Sequence, residues 1–190
     1  MNHKKNSSRI QENEKAIDFS VKDYLGRDVK LSDYYGQKIL LTFFRFASCP
    51  FCNLRMHQLI ERSNYYKKRN TTMITDFESP ANSIMEFAGK QNPPFPVIAD
   101  PEQHLYTKYR VEKSLAGLLK GGIQMGKMFD AILKKGFIPT KIDSAMHRIP
   151  ADFLIDEGQT IRRVHYGTDI SDHISYSEIE EFLKFEAALV

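Results

Sequence analysis

The 190-residue sequence has only two cysteines and no tryptophan. A closed zinc site needs four ligands, and no second cysteine pair is present to complete one. His57, His104 and His147 are scattered without ligand spacing, so no metal is expected. No glycine-rich phosphate loop occurs, and no cofactor is implied. The net charge of +3 is too small to mark a nucleic-acid surface. No apolar run approaches the roughly 20 residues of a membrane helix, so membrane insertion is not expected. The opening MNHKKNSSRIQENEKA is polar throughout, without an apolar signal core or a cleavage site. A cytoplasmic setting is the resulting expectation. There, a lone Cys-x-x-Cys is more often catalytic than structural.

What is present centres on residues 38–57, KILLTFFRFASCPFCNLRMH, which contain both cysteines. Ile39 to Phe44 is apolar except for Thr42. Such a run without alternation suits a strand buried on both faces. From Cys52 the pattern Met56, Leu59, Ile60 has helical spacing. Pro50 fits the first helical position, which makes Cys49 the expected N-cap. Its sulfur would face unpaired N–H groups and the positive end of the helix dipole, both of which favour a thiolate. Cys52, one turn on, is the sheltered partner to an exposed Cys49. Three other readings of the pair stay open: half a metal site, two inert buried cysteines, or a non-catalytic binding domain.

Four pieces carry a family resemblance. They are residues 29–34 with Gly36; Phe44 through Arg55; residues 95–101 with Tyr109, Arg110 and Val111; and residues 150–156. Together they resemble the thioredoxin superfamily, and in particular the peroxiredoxin-like branch of the alkyl hydroperoxide reductase/thiol-specific antioxidant (AhpC/TSA) family. The resemblance implies an α/β thioredoxin-like three-layer fold, a central mixed β-sheet with helices on both faces. It also implies a cis-proline at Pro150, ahead of the strand at 151–155, which would free the backbone of Ile149 to pair with a substrate. Two departures stand out. Set against the peroxiredoxin Pro-x-x-x-Thr-x-x-Cys motif, Thr42 occupies the Pro position and Phe46 the Thr position. Ser48 is the one hydroxyl placed to substitute, and it also stands where thioredoxins carry tryptophan.

In chain order, residues 1–15 read as a flexible tail and 16–190 as one domain. Residues 16–31 suggest a hairpin around Tyr24 to Asp28. Thr71 to Phe77 and Val97 to Ala99 read as strands. Ser79 is the expected N-cap of a helix opened by Pro80, and Pro101 to Tyr109 reads as a further helix. Asp156 to Gln159 turns a hairpin into Ile161 to Tyr166, and Ser175-x-x-Glu178 is a capping box for a last helix.

The segment 111–147 is a helical insertion before the proline strand. Lys113, Lys120, Lys127, Lys134, Lys141 and Arg148 recur every seven residues beside an apolar face. Gly121-Gly122 divides it into two helices. It is either a basic amphipathic element for an anionic surface or an insertion packed on the domain or on a dimer mate. The glycines interrupt a continuous surface helix and favour packing.

The expected function is a thiol-dependent antioxidant oxidoreductase that reduces peroxides through Cys49 and Cys52. A reducing thiol partner of thioredoxin, glutaredoxin or glutathione type would restore the pair. The alternative is a thiol–disulfide oxidoreductase acting on protein disulfides. Arg45 and Arg148 are the cations expected to tune Cys49 or bind substrate.

Overall fold

The computed structural model describes residues 9–120, 136 and 142–184. A five-stranded sheet runs in the order β5-β4-β3-β6-β7, with β3 (Lys38–Phe43) at its centre. β4 (Thr71–Phe77) pairs parallel to β3, and β5 (Val97–Ala99) parallel to β4. β6 (Ala151–Ile155) and β7 (Ile161–Tyr166) complete the other side antiparallel. All six residues of β3 are buried, as a strand covered on both faces requires. The pleat sends Ile39, Leu41 and Phe43 into one core layer and Leu40 into the other.

Helix α1 (Pro50–Lys67) and the final helix α5 (Tyr176–Lys184) build the layer that contains both cysteines. On the opposite face lie α3 (His104–Lys108) and the hairpin of β1 (Ser20–Lys22) and β2 (Asp28–Lys30). Between β4 and β5 stands the short α2 (Ala81–Glu86). α4, described over 115–120, opens the insertion. The mixed sheet with helices on both faces is therefore the expected thioredoxin-like arrangement. Among the described residues, no helix is long and apolar enough to cross a membrane.

Several boundaries differ from the sequence reading. Residues 9–15 are not a loose tail. Ile10 is only 2% exposed, Asn13 N–H donates to Ile161 O at 2.7 Å, and Lys15 bridges to Thr160. An isolated Ile in a polar run gives no periodicity to detect, although it fills a core site. The helix after β4 starts at Ala81, with Pro80 rather than Ser79 at the cap. The Ser79 hydroxyl is taken by tertiary partners, accepting from Ala47 N–H at 2.9 Å and donating to Asp143 at 2.5 Å. α3 begins only at His104, because Gln103 is left-handed. The Asp100 carboxylate caps it by accepting from the N–H groups of His104 and Leu105. The α5 capping box is present, with Glu178 N–H on Ser175 Oγ and Ser175 N–H on Glu178.

In the insertion, Leu118 packs against the cysteine layer. A Cβ at Gly117 would lie 2.5 Å from Ile149 Cδ1, so glycine permits α4 to sit this close to the domain. Leu115 and Leu119 face outward. The break at Gly121-Gly122 and the lysines at 127, 134 and 141 lie outside the described residues.

The packing of Ile10 is testable. Ile10→Ala should cost about 2–4 kcal/mol in urea unfolding, the range for truncating a buried aliphatic side chain. A change below about 0.5 kcal/mol, usual for surface sites, would mean the segment is loose after all.

Candidate active site

Cys49 follows the C-terminal end of the central strand, in the turn that leads into α1. Its backbone is extended (φ −61°, ψ 122°), and Pro50 takes the first helical position, as expected. The turn is closed by Cys49 N–H donating to Phe46 O at 3.0 Å. Asn53 clamps it from within the helix, its Nδ2 donating to Ala47 O at 2.7 Å and to Cys49 O at 2.9 Å. Gln91 in turn donates to the Asn53 side chain at 3.0 Å. Every residue from Phe51 to Met56 is buried, so α1 begins inside the protein and emerges later.

Both cysteines are free thiols and fully buried. The expectation of an exposed Cys49 is thus corrected. The surrounding loops close over the helix start, and only their tertiary placement decides this. Arg45 Nη1 donates to Cys49 Sγ at 3.3 Å in the buried interior. Its guanidinium lies 5.0 Å from the centre of the Phe46 ring, and Nη2 donates to Met146 O. Burial pushes the Cys49 thiol up. The Cys52 thiol, the Arg45 charge and the N–H groups of Cys52 and Phe51 outweigh burial and bring it down to about 6. Burial and the neighbouring Cys49 push Cys52 well above the ordinary thiol range. The pair is thus split into a thiolate and a retained thiol, the division of labour a nucleophile and its resolving partner require.

The two cations expected near Cys49 separate. Arg45 touches the sulfur; Arg148 does not act on it. The Arg148 Nε donates to Glu78 at 2.6 Å, Nη1 to Val111 O at 2.6 Å and Nη2 to Gln103 at 2.8 Å. It also lies 4.8 Å from the centre of the Tyr106 ring. Arg148 and Glu78 are almost wholly buried and form a structural ion pair. Glu78 N–H donates to Arg45 O, so this pair supports the backbone from which Arg45 projects.

The proline strand also differs from the resemblance. No described peptide bond is cis, so Pro150 is trans. Ile149 N–H is not free for a substrate; it donates to Glu112 O at 3.2 Å, while its side chain packs in the cysteine layer. The insertion is the physical reason, since its first residues pair with this backbone. Ser48 is buried beside Cys49 in the chain. Sequence reasoning missed Asn53, Glu78 and Met146. Of these, only Asn53, four residues after Cys49 in a helix start, carries a local signal.

A central β3 that leads Cys49 and Cys52 into the first turn of a helix defines the class, a thioredoxin-fold thiol oxidoreductase. The chain belongs to the AhpC/TSA family, whose model matches residues 13–164. It is similar to peroxiredoxin Bcp of Escherichia coli K12, 27% identical over 157 residues that cover 82% of this chain and 85% of that protein. A partial likeness, 29% over 97 residues, links it to the thiol-disulfide oxidoreductase ResA of Geobacillus kaustophilus, covering 50% of this chain and 55% of ResA. Among solved structures, peroxidoxin BcpB of Mycobacterium tuberculosis superposes with a TM-score of 0.65 at 14% identity, over 92% of this chain and 95% of that one.

The roles of the two arginines make a pH prediction. Alkylation of reduced protein follows the thiolate, so its rate should level off above about 6 and fall as pH drops through that value. Arg45→Ala should move the midpoint upward. An unmoved midpoint would remove Arg45 from the site.

Proposed function

We propose that Cys49 is the peroxide-reducing nucleophile and Cys52 its resolving partner. The observation that carries this reading is the buried Arg45–Cys49 contact at 3.3 Å, which holds a thiolate beside a neutral thiol. The Cys49 thiolate attacks the terminal oxygen of a hydroperoxide and the O–O bond breaks. The departing alkoxide takes a proton and leaves as an alcohol, and Cys49 becomes a sulfenic acid. The Cys52 thiol then attacks the sulfenic sulfur, forming a disulfide and releasing water. Two thiols from a reductant restore the pair and leave as a disulfide. A cytoplasmic location supplies such thiols.

Phe46 occupies the position of the peroxiredoxin threonine hydroxyl, and Arg45 is the donor that reaches the sulfur. We infer that Arg45 takes over the polarising of the peroxide oxygen that would otherwise fall to that hydroxyl. Because Cys49 is fully buried, peroxide entry requires the surrounding chain to part. The alternative, exchange with protein disulfides, is disfavoured by one observation. The Ile149 N–H that an extended substrate would need is already bonded to Glu112.

Stopped-flow oxidation by hydrogen peroxide decides between these. Wild type should form the Cys49–Cys52 disulfide, and Cys49→Ser should abolish peroxide consumption. Cys52→Ser should accumulate a sulfenic acid that dimedone traps. Trapping of equal amounts in both variants would overturn the assignment.

A further inference from the structure

The turn that carries Cys49 is gripped from a side that the reaction steps leave out. The hydrogen-bonded ladder of β3 and β4 runs on past the strand ends. Phe44 N–H donates to Asp76 O at 2.8 Å, and Glu78 N–H donates to Arg45 O at 3.0 Å. At the next step a side chain takes over from the backbone, and Ala47 N–H donates to the Ser79 hydroxyl at 2.9 Å. Ser79 is fully buried, and its hydroxyl donates in turn to the Asp143 carboxylate at 2.5 Å. Asp143 is half-buried and shares the far end of the insertion with Met146, whose carbonyl accepts from Arg45.

Ala47 N–H and Phe46 C=O belong to one trans peptide unit, in which they point in opposite directions. Phe46 O accepts from Cys49 N–H at 3.0 Å. Ser79 therefore holds the outer side of the peptide whose inner side holds Cys49. A peptide that donates on one side is also the stronger acceptor on the other. The adjoining peptide is held separately, by Asn53 on Ala47 O at 2.7 Å. A hydroxyl has one proton and rotates to suit its partners. Asp143 takes that proton, which leaves the lone pairs of the oxygen to Ala47 N–H. The Arg45–Cys49 contact at 3.3 Å depends on where this turn sets the Cys49 backbone. A turn free to rock lengthens that contact and stabilises a thiolate less.

We propose that Ser79 and Asp143 are positioning residues for Cys49. The Asp143 carboxylate orients the Ser79 hydroxyl, and the hydroxyl fixes the peptide that binds Cys49 N–H. The two act in series and through the backbone. The inference rests on the reading of Cys49 as the nucleophile and extends its support to the insertion.

The test follows alkylation of reduced full-length protein by iodoacetamide across pH, with each cysteine read by mass spectrometry. Ser79→Ala should raise the Cys49 midpoint by about 0.5–1 pH unit, the scale of one lost hydrogen bond. Asp143→Ala should raise it too, whereas an effect of its charge alone would move the midpoint down. The double variant should shift no further than the larger single one, as expected for residues acting in series. Thr71→Val, which removes a buried hydroxyl at the other end of β4, should leave the midpoint in place. An unmoved midpoint in folded Ser79→Ala, a downward or absent shift in Asp143→Ala, or additive shifts would overturn the proposal. An equal shift in Thr71→Val would assign the effect to general loosening of the strand and overturn it as well. An unfolded variant labels both cysteines alike near the free-thiol value of about 8.5. If Ser79→Ala behaves so, Asp143→Ala alone decides. A wild-type midpoint near that value would overturn the nucleophile reading and the inference together. Failure of wild type to consume peroxide would overturn the peroxidase reading and leave the alkylation result standing.

Discussion

A negative charge buried on a sulfur is the constraint on which this structure turns. Water cannot reach Cys49, so whatever stabilises its thiolate has to be built from the chain. The compensation is local and threefold: the Cys52 thiol, the Arg45 guanidinium and the open N–H groups at the start of α1. Each depends on the strand–turn–helix junction. Arg45 lies two residues past the end of β3, and Cys52 lies one helical turn past Cys49. A one-residue slip of β3 against its neighbours would turn Arg45 to the opposite face of the sheet and remove it from the sulfur. The burial of β3 on both faces fixes that register, and so the core and the chemistry share one cause.

Arg45 is itself an expensive group to bury, and its surroundings show how it is held. Its backbone carbonyl accepts from Glu78, its guanidinium caps Met146 O, and Phe46 lies under its face. Glu78 is fixed by Arg148, which also ties Gln103 ahead of α3 and Val111 at the start of the insertion. Met146 belongs to the far end of the same insertion. The insertion thus does more than fill space beside the domain. Its far end delivers the Met146 carbonyl to Arg45, and its first residue, Val111, accepts from Arg148, the partner of Glu78.

Local signals made much of this legible. The two-sided burial of β3, the N-cap at Cys49, the hairpins and the Ser175–Glu178 capping box all follow from residue type and spacing within a few positions. The mixed sheet with helices on both faces followed from the resemblance. What stayed hidden is tertiary. Arg45 and Arg148 look equivalent in sequence, each a lone cation flanking an apolar run. They differ only because Glu78, Gln103 and Val111 converge on Arg148 from three separate elements. Ser79 looked like a cap, but the loop at Ala47 claimed its hydroxyl. Ile10 gave no pattern because a single buried residue has no period. The trans Pro150 and the occupied Ile149 N–H reflect pairing with Glu112, which no spacing rule anticipates.

The same logic sets Arg45 apart from Arg148, whose counter-ion Glu78 is a permanent part of the fold. On the reading proposed for the pair, the anion that faces Arg45 is the Cys49 thiolate, so its charge is matched only in the reduced state. Once Cys49 enters a disulfide that charge is gone, and Arg45 is left buried beside a neutral sulfur. Oxidation therefore costs the site an ion pair, and regeneration of the thiolate restores it. On that reading, reduction of the disulfide returns the Cys49 sulfur to the place where a cation is waiting. The driving force for resetting the cycle is then stored in the position of Arg45, and the position of Arg45 is set by the end of one fully buried strand.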